Sequence, residues 1–176
     1  IYYYQQFVEG NGHPVDTTGL MHLEIEGYHP GDIEVVAAFD IDQRKVDRPL
    51  GEAIFALPNC TKVFHRDVPK NGPIVQMGEL LDGFSEHMTD YPESQRFIPA
   101  KRSAVDVERV LKERDVDVLV NYLPVGSQQA TEYYAQCCLN AGVGLVNCIP
   151  VFIVSNETWA SRFARKNIPC VGDDIK

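Results

Sequence analysis

Three short apolar runs, at residues 116–123, 143–148 and 168–171, are each separated from the next by one stretch of helical periodicity. This alternation constrains the fold more than any other feature of the chain. The runs are rich in Val, Leu and Ile with little polar interruption, so each reads as a strand covered on both faces, as strands of a parallel sheet are. The intervening stretch begins at Ser127, and its apolar positions Ala130, Tyr133, Tyr134, Cys137, Cys138 and Ala141 follow the i, i+3, i+4, i+7, i+8 spacing of one helix face. Gly142 follows as a helix stop. A further helix is expected from Ser155 or Asn156, burying Trp159, Ala160 and Phe163. An earlier one is expected from a cap at Ser103, carrying Ala104, Val107, Val110 and Leu111, with Asp106 in its first turn. Residues 33–40 and 73–77 supply two more apolar runs, making five expected strands. Strand, helix and strand in short succession give right-handed parallel crossovers, hence an α/β, doubly wound, mostly parallel sheet with helices on both faces.

The first half is less regular. Residues 2–8 read as the tail of a helix, while residues 9–32 and 41–72 are rich in Gly, Pro, His and Asp and read as long loops or short decorations. A chain of 176 residues suits one domain with a full hydrophobic core. With 25 acidic against 16 basic residues, the net charge of -9 argues against a nucleic-acid or anionic-membrane surface, which would call for clustered Lys and Arg. Cys60, Cys137, Cys138, Cys148 and Cys170 show no metal-binding spacing and sit mostly in apolar runs. They read as small buried hydrophobes of a reducing compartment, and a cytoplasmic location is the expectation. No apolar stretch is long enough to span a membrane.

The chemistry concentrates where apolar runs end. Asp40 closes its run at the position where dinucleotide-binding folds use a carboxylate to accept from the adenosine ribose hydroxyls. A turn-forming or capping role fits it equally by spacing, and Asp42 competes for the same place. A glycine-rich phosphate turn upstream is missing: Gly10 and Gly12 have no strand before them and read as loop. In Tyr122, Leu123, Pro124, Val125, Gly126 and Ser127, the glycine permits close approach of a ligand and the serine opens a helix with unpaired amides. Asn147 and Pro150 either line the same crevice or merely end strand pairing. Asp173 and Asp174 form an adjacent carboxylate pair near Lys176, a trio able to bind a cation, polarise a hydroxyl or work as acid and base, or to remain solvated. His13, His22, His29, His65 and His87 have no metal-ligand spacing, and no metal is expected. No nucleophile elbow or phosphate-binding Walker loop occurs.

Six blocks together resemble one family. They are Gly19-Leu20-Met21-His22, Val36-Ala37-Ala38-Phe39-Asp40-Ile41-Asp42, Asp117-Val118-Leu119-Val120 with the following Tyr122 to Ser127, Tyr134-Ala135-Gln136-Cys137, Pro150-Val151-Phe152-Ile153, and Val171-Gly172-Asp173-Asp174-Ile175-Lys176. In this order they are similar to the myo-inositol-1-phosphate synthases, in the shorter prokaryotic form. The resemblance implies a Rossmann-like NAD-binding domain over residues 1–176. It implies an NAD-dependent isomerase that turns D-glucose 6-phosphate into 1L-myo-inositol 1-phosphate by oxidation at C5, intramolecular aldol closure and return of the hydride, within inositol and phospholipid biosynthesis. It also implies a homotetramer.

By position, the resemblance makes Asp40 the adenosine-ribose ligand and Tyr122, Leu123, Pro124, Val125 and Gly126 the loop passing along the dinucleotide. Cys148 and Ile149 match the next cofactor-lining turn; the family often has Gly and Ser there, so backbone contact is implied. Asp174 resembles the acidic residue near the nicotinamide, and Lys176 opens the stretch leading to the catalytic half. The family's first strand and phosphate loop are expected before Ile1, and its catalytic and tetramerisation domain after Lys176, so these residues are expected to be inactive by themselves. Two other classes remain open: an NAD-binding sensor or interaction domain without catalysis, and a dehydrogenase that releases NADH.

Overall fold

The three longer helices of this chain start where carboxylate and amide side chains take up first-turn N–H groups. A computed structural model describes residues 3–4, 17–59 and 61–174. In chain order it has strand β1 (Phe39–Asp40), helix α1 (Leu50–Ala53), strand β2 (Gln76–Met77), helix α2 (Val107–Glu113), strand β3 (Val118–Asn121), helix α3 (Gln128–Ala141), strand β4 (Gly144–Asn147), helix α4 (Glu157–Arg165) and strand β5 (Cys170–Val171). Two 3-10 turns, Pro30–Asp32 and Glu86–Asp90, decorate the loops. Helix α4 starts where Asn156 accepts from the amides of Thr158 and Trp159, as its sequence suggests. For α2 the cap is Asp106, which accepts from the Arg109 amide at 3.0 Å, and not Ser103. The reason is tertiary: the Val105 amide is bonded to the Met77 carbonyl, which keeps the chain extended up to Asp106. Helix α3 ends at Gly142, whose φ of +82° is the left-handed conformation that glycine adopts without strain.

All five expected strands are present, all pairings are parallel, and helices flank the sheets, so the fold is α/β. The described strands form two sheets, β1–β2 and β3–β4–β5. Strand β1 is much shorter than residues 33–40, because it pairs only with β2 and that ladder has two rungs. In the larger sheet, Val118 to Asn121 lie opposite Gly144 to Asn147, and Leu145 and Val146 opposite Cys170 and Val171. Since parallel partners in register share a face, Leu119, Leu145 and Cys170 point together, and all three belong to or pack on the main core with Leu111, Leu139, Ile153 and Phe163. The alternate residues Val118, Val120 and Val171 are about half exposed among the described residues. Phe39 also packs against this core through Tyr134, at 6.1 Å between ring centroids, which joins the smaller sheet to it.

Four of the five cysteines lie in described residues, and all four are free thiols, three of them buried. Burial pushes the Cys138 thiol up to about 12 and raises Cys137 and Cys170 as well, which keeps these groups protonated near neutrality. They pack as hydrophobes. Cys60, Gly10, Gly12 and His13 lie outside the described residues, as does most of the expected helix at residues 2–8. Among the described residues no helix is long and apolar enough to cross a membrane.

Candidate functional site

Each strand of a parallel sheet stops where its apolar run meets polar residues, and in β3 and β4 those last residues are asparagines. Asn121 and Asn147 are buried side by side, the Asn121 Nδ2 donating to the Asn147 Oδ1 at 2.9 Å and to the Thr131 hydroxyl at 3.2 Å. The Asn121 Oδ1 accepts from the Leu123 amide at 3.0 Å, which fixes the first turn of the 122–127 loop. Asn147 donates from Nδ2 to the Val151 carbonyl at 2.7 Å, the Ile149 carbonyl at 3.2 Å and Asp173 Oδ1 at 2.8 Å. Asp173 in turn accepts from the amides of Val154 and Ser155. Burial would raise its carboxyl, but these donors outweigh it and hold Asp173 below its ordinary value. The Asp174 amide reaches the Ile149 carbonyl at 3.2 Å.

One buried chain of amides therefore sets the loops after β3, β4 and β5 against one another, and Tyr122, Cys148, Ile149 and Asp174 meet at this edge. Interaction with the neighbouring Cys148 side chain, followed by burial, raises the Tyr122 phenol above its ordinary value. Gly126 has φ +94° and no heavy atom within 4 Å of where a Cβ would stand, so the loop presents open backbone. Asp173 departs from the acid–base role considered for the adjacent pair: with at least three donors on its oxygens it is a structural clasp. Asn147 is likewise a clasp and not a lining group, being fully buried. Lys176 lies outside the described residues.

The start of α3 also differs from the expectation. Ser127 occupies the cap position, but its hydroxyl donates to the Pro124 carbonyl at 2.6 Å, and the first-turn amides are taken elsewhere. Gln128 donates to the Gly126 carbonyl, and Gln129 and Ala130 donate to the Asp82 carboxylate at 2.7 and 2.9 Å. Asp82 comes from the loop after β2, so a residue 47 positions away supplies the cap. No unpaired amide is left there for a phosphate, because a carboxylate already complements the positive end of the helix. The same contact brings the carboxyl end of β2 against the 122–127 loop, with Gly83 beside the Ser127 side chain.

Asp40 ends β1 on the same side. Its Oδ1 accepts from the amides of Ile41 and Asp42 at 2.7 and 2.8 Å, while Oδ2 stands 3.5 Å from the Lys45 ammonium. With Ala38, Phe39, Leu50, Ala53, Ile54 and Val75, these two residues line a small open cleft of about 100 Å³. The competitor Asp42 is excluded from ligand contact. It is fully buried and accepts from the Arg44 amide, from Arg44 Nε and Nη2, and from the Ile98 amide, all at 2.7–2.8 Å. Burial raises its carboxyl, but the Arg44 guanidinium and these amides prevail and leave it below its ordinary value. Asp82, Asn121, Thr131 and Lys45 were not singled out from sequence. For Asn121 the available signal was its position as the last residue of a strand, which it shares with Asn147; Asp82 had none.

No protein-family model matches the chain. Inositol-3-phosphate synthase of Mycolicibacterium smegmatis is 50% identical over 158 residues, 90% of this chain and 42% of that protein. The Mycobacterium tuberculosis protein of the same name is 48% identical over 158 residues, 90% of this chain and 41% of its own length. The one from Corynebacterium glutamicum is 46% identical over 167 residues, covering 94% and 44%. The chain thus spans roughly two-fifths of the curated relatives it matches. Among solved structures, the crystal structure of Ari2 superimposes with a TM-score of 0.77 at 29% identity, over 99% of this chain and 47% of Ari2. Identity of 46–50% over at least nine-tenths of its residues makes the chain a relative of the inositol-3-phosphate synthases, matched to part of their length.

Proposed function

We propose that this chain forms the NAD-binding part of an isomerase that converts D-glucose 6-phosphate to 1L-myo-inositol 1-phosphate by internal oxidation, aldol cyclisation and reduction. The observation that carries the reading is the 46–50% identity to proteins named inositol-3-phosphate synthase. The donor set fits the adenosine half of the cofactor: Asp40 is held rigidly by two backbone amides and lines an otherwise mainly apolar cleft. When bound, the nicotinamide would take up and return one hydride.

Around it, Asp40 accepts from the ribose hydroxyls and disfavours a phosphate at the 2′ position. Tyr122, Leu123, Pro124, Val125 and Gly126 offer a backbone edge along the dinucleotide, and the bare Gly126 Cα admits close approach. Cys148 and Ile149 contribute backbone, and Asp174 is the acidic group nearest the nicotinamide end. Lys176 opens the stretch of sequence that, in this family, leads into the catalytic half. A site of this kind must exclude water and keep its cofactor, because loss of the reduced form would strand an oxidised sugar. The intact protein is a homotetramer in this reading.

The test is turnover by the full-length protein purified without added cofactor. The reading expects bound NAD, formation of inositol phosphate from glucose 6-phosphate, and no net NADH. Accumulating NADH would point to a dehydrogenase, and cofactor binding with the sugar phosphate unchanged would point to a sensor; either result sinks the isomerase reading.

A further inference from the structure

The Asp40–Lys45 pair is too loose to be a finished salt bridge. Charged N–H···O pairs with full hydrogen bonds close to about 2.7–2.9 Å, whereas Lys45 Nζ stands 3.5 Å from Asp40 Oδ2. The Asp40 carboxylate is held in place, and so is the backbone that carries Lys45. Asp40 Oδ1 is bonded by two amides, and the turn that carries Lys45 is pinned where the amides of Lys45 and Val46 donate to the Asp42 carbonyl. Asp42 is itself clamped by Arg44 and Ile98. Both side chains are mostly sheltered, at 26% and 19% exposure, and both line the cleft closed by Leu50, Ala53, Ile54 and Val75.

An anchored acceptor facing a sheltered donor on a pinned turn, separated in this way, suits one kind of ligand group. A hydroxyl oxygen placed about 2.8 Å from each makes a triangle on that base, donating its proton to Asp40 Oδ2 and accepting from Lys45 Nζ. A methyl or an amide N–H can do only part of this. The apolar walls beside the pair suit the flat face of a base attached to the hydroxyl-bearing sugar.

We propose that Lys45 is a specificity-determining residue of the nucleotide site, donating to the same adenosine ribose hydroxyl that donates to Asp40. This rests on the NAD reading above and adds a second residue to it. Lys45 also offsets the carboxylate, so the pair and not Asp40 alone sets how strongly a 2′-phosphate is refused.

The experiment measures dissociation constants of the full-length protein for NAD, NADP and the 2′- and 3′-deoxyadenosine analogues of NAD by calorimetry, with Lys45→Met, Lys45→Gln and Asp40→Asn variants. In the unmodified protein, removal of the bridging hydroxyl weakens binding roughly tenfold or more, the scale of a lost charge-assisted hydrogen bond. In Lys45→Met and Lys45→Gln that penalty shrinks severalfold, and discrimination against NADP rises because the carboxylate is unopposed. Asp40→Asn lowers both the hydroxyl penalty and the discrimination. A residue that only stabilised the fold would weaken every analogue equally. Equal loss across the analogues, or unchanged ratios with NAD still bound, overturns the role of Lys45 while leaving the cofactor reading standing. Failure of the unmodified protein to bind any of these dinucleotides overturns both.

Discussion

Replacing Asp42 by Ala isolates the clamp that holds the end of β1 to the loop at residues 93–98. The substitution removes the acceptor of two backbone amides and of Arg44 Nε and Nη2. Arg44 would keep its bonds to the Glu93 and Arg96 carbonyls, each at 2.7 Å, but would lose its counter-charge. Deleting one partner of a buried ion pair costs about 3–5 kcal/mol. Here the Arg44 side chain is 22% exposed and can recover some hydration, which puts the expected loss at about 3 kcal/mol, or roughly 6–12 °C in melting temperature for a chain of this size. Urea unfolding at pH 7 measures it. The pH dependence adds a second readout. The Asp42 carboxyl is lowered in the folded state from an ordinary value of 3.8, so its contribution is complete above that value and fades as pH falls through the folded one. The gap between the unmodified protein and Asp42→Ala should therefore be constant from pH 5 upward and narrow below about pH 4. A loss under about 1 kcal/mol, or a gap that does not narrow in acid, would show that the clamp is not the ion pair described.

Asp40→Ala should weaken NAD binding of the full-length protein by roughly 1–3 kcal/mol; unaltered affinity would remove Asp40 from the site. Asp82→Ala strips the first turn of α3 of its cap and should lower stability by about 1 kcal/mol, read by urea unfolding, with Asp82→Asn recovering part of the loss. Asn147→Leu removes the acceptor of the Asn121 amide and the donor to the Val151 carbonyl and Asp173 and should cost about 2–4 kcal/mol. Amide hydrogen exchange should show that loss concentrated in residues 121–127 and 148–154, and uniform deprotection would contradict the clasp.

The five strands and the three longer helices were legible from local pattern. Periodic apolar positions such as Tyr134, Cys137 and Cys138 mark a buried helix face, and β-branched runs such as residues 116–123 mark strands, because burial selects residues at the period of the backbone. Asp40 at its strand end and the open Gly126 loop were legible for the same local reason. Strand lengths were not. Residues 34–37 carry a strand-like composition but lie outside the β1–β2 ladder, and pairing, unlike composition, belongs to two segments at once. Ser103 looked like a helix cap for equally local reasons, and the bond from Val105 to Met77 decided otherwise.

The sequence by itself determined the α/β alternation, the stop of α3 at Gly142, the start of α4, and the family likeness, since each resides in residue order or in spacings within one turn or strand. Tertiary structure alone decided which polar groups remain for a ligand. Asp42 and Asp40 are two residues apart and chemically identical, yet one is consumed by Arg44 and Ile98 while the other keeps an oxygen facing Lys45. Asp173 is consumed by Asn147 and two amides, and the amides of α3 are consumed by Asp82. Satisfaction of buried hydrogen-bonding groups is settled among neighbours in space, often dozens of positions apart, and no local pattern encodes which partner will claim a given donor.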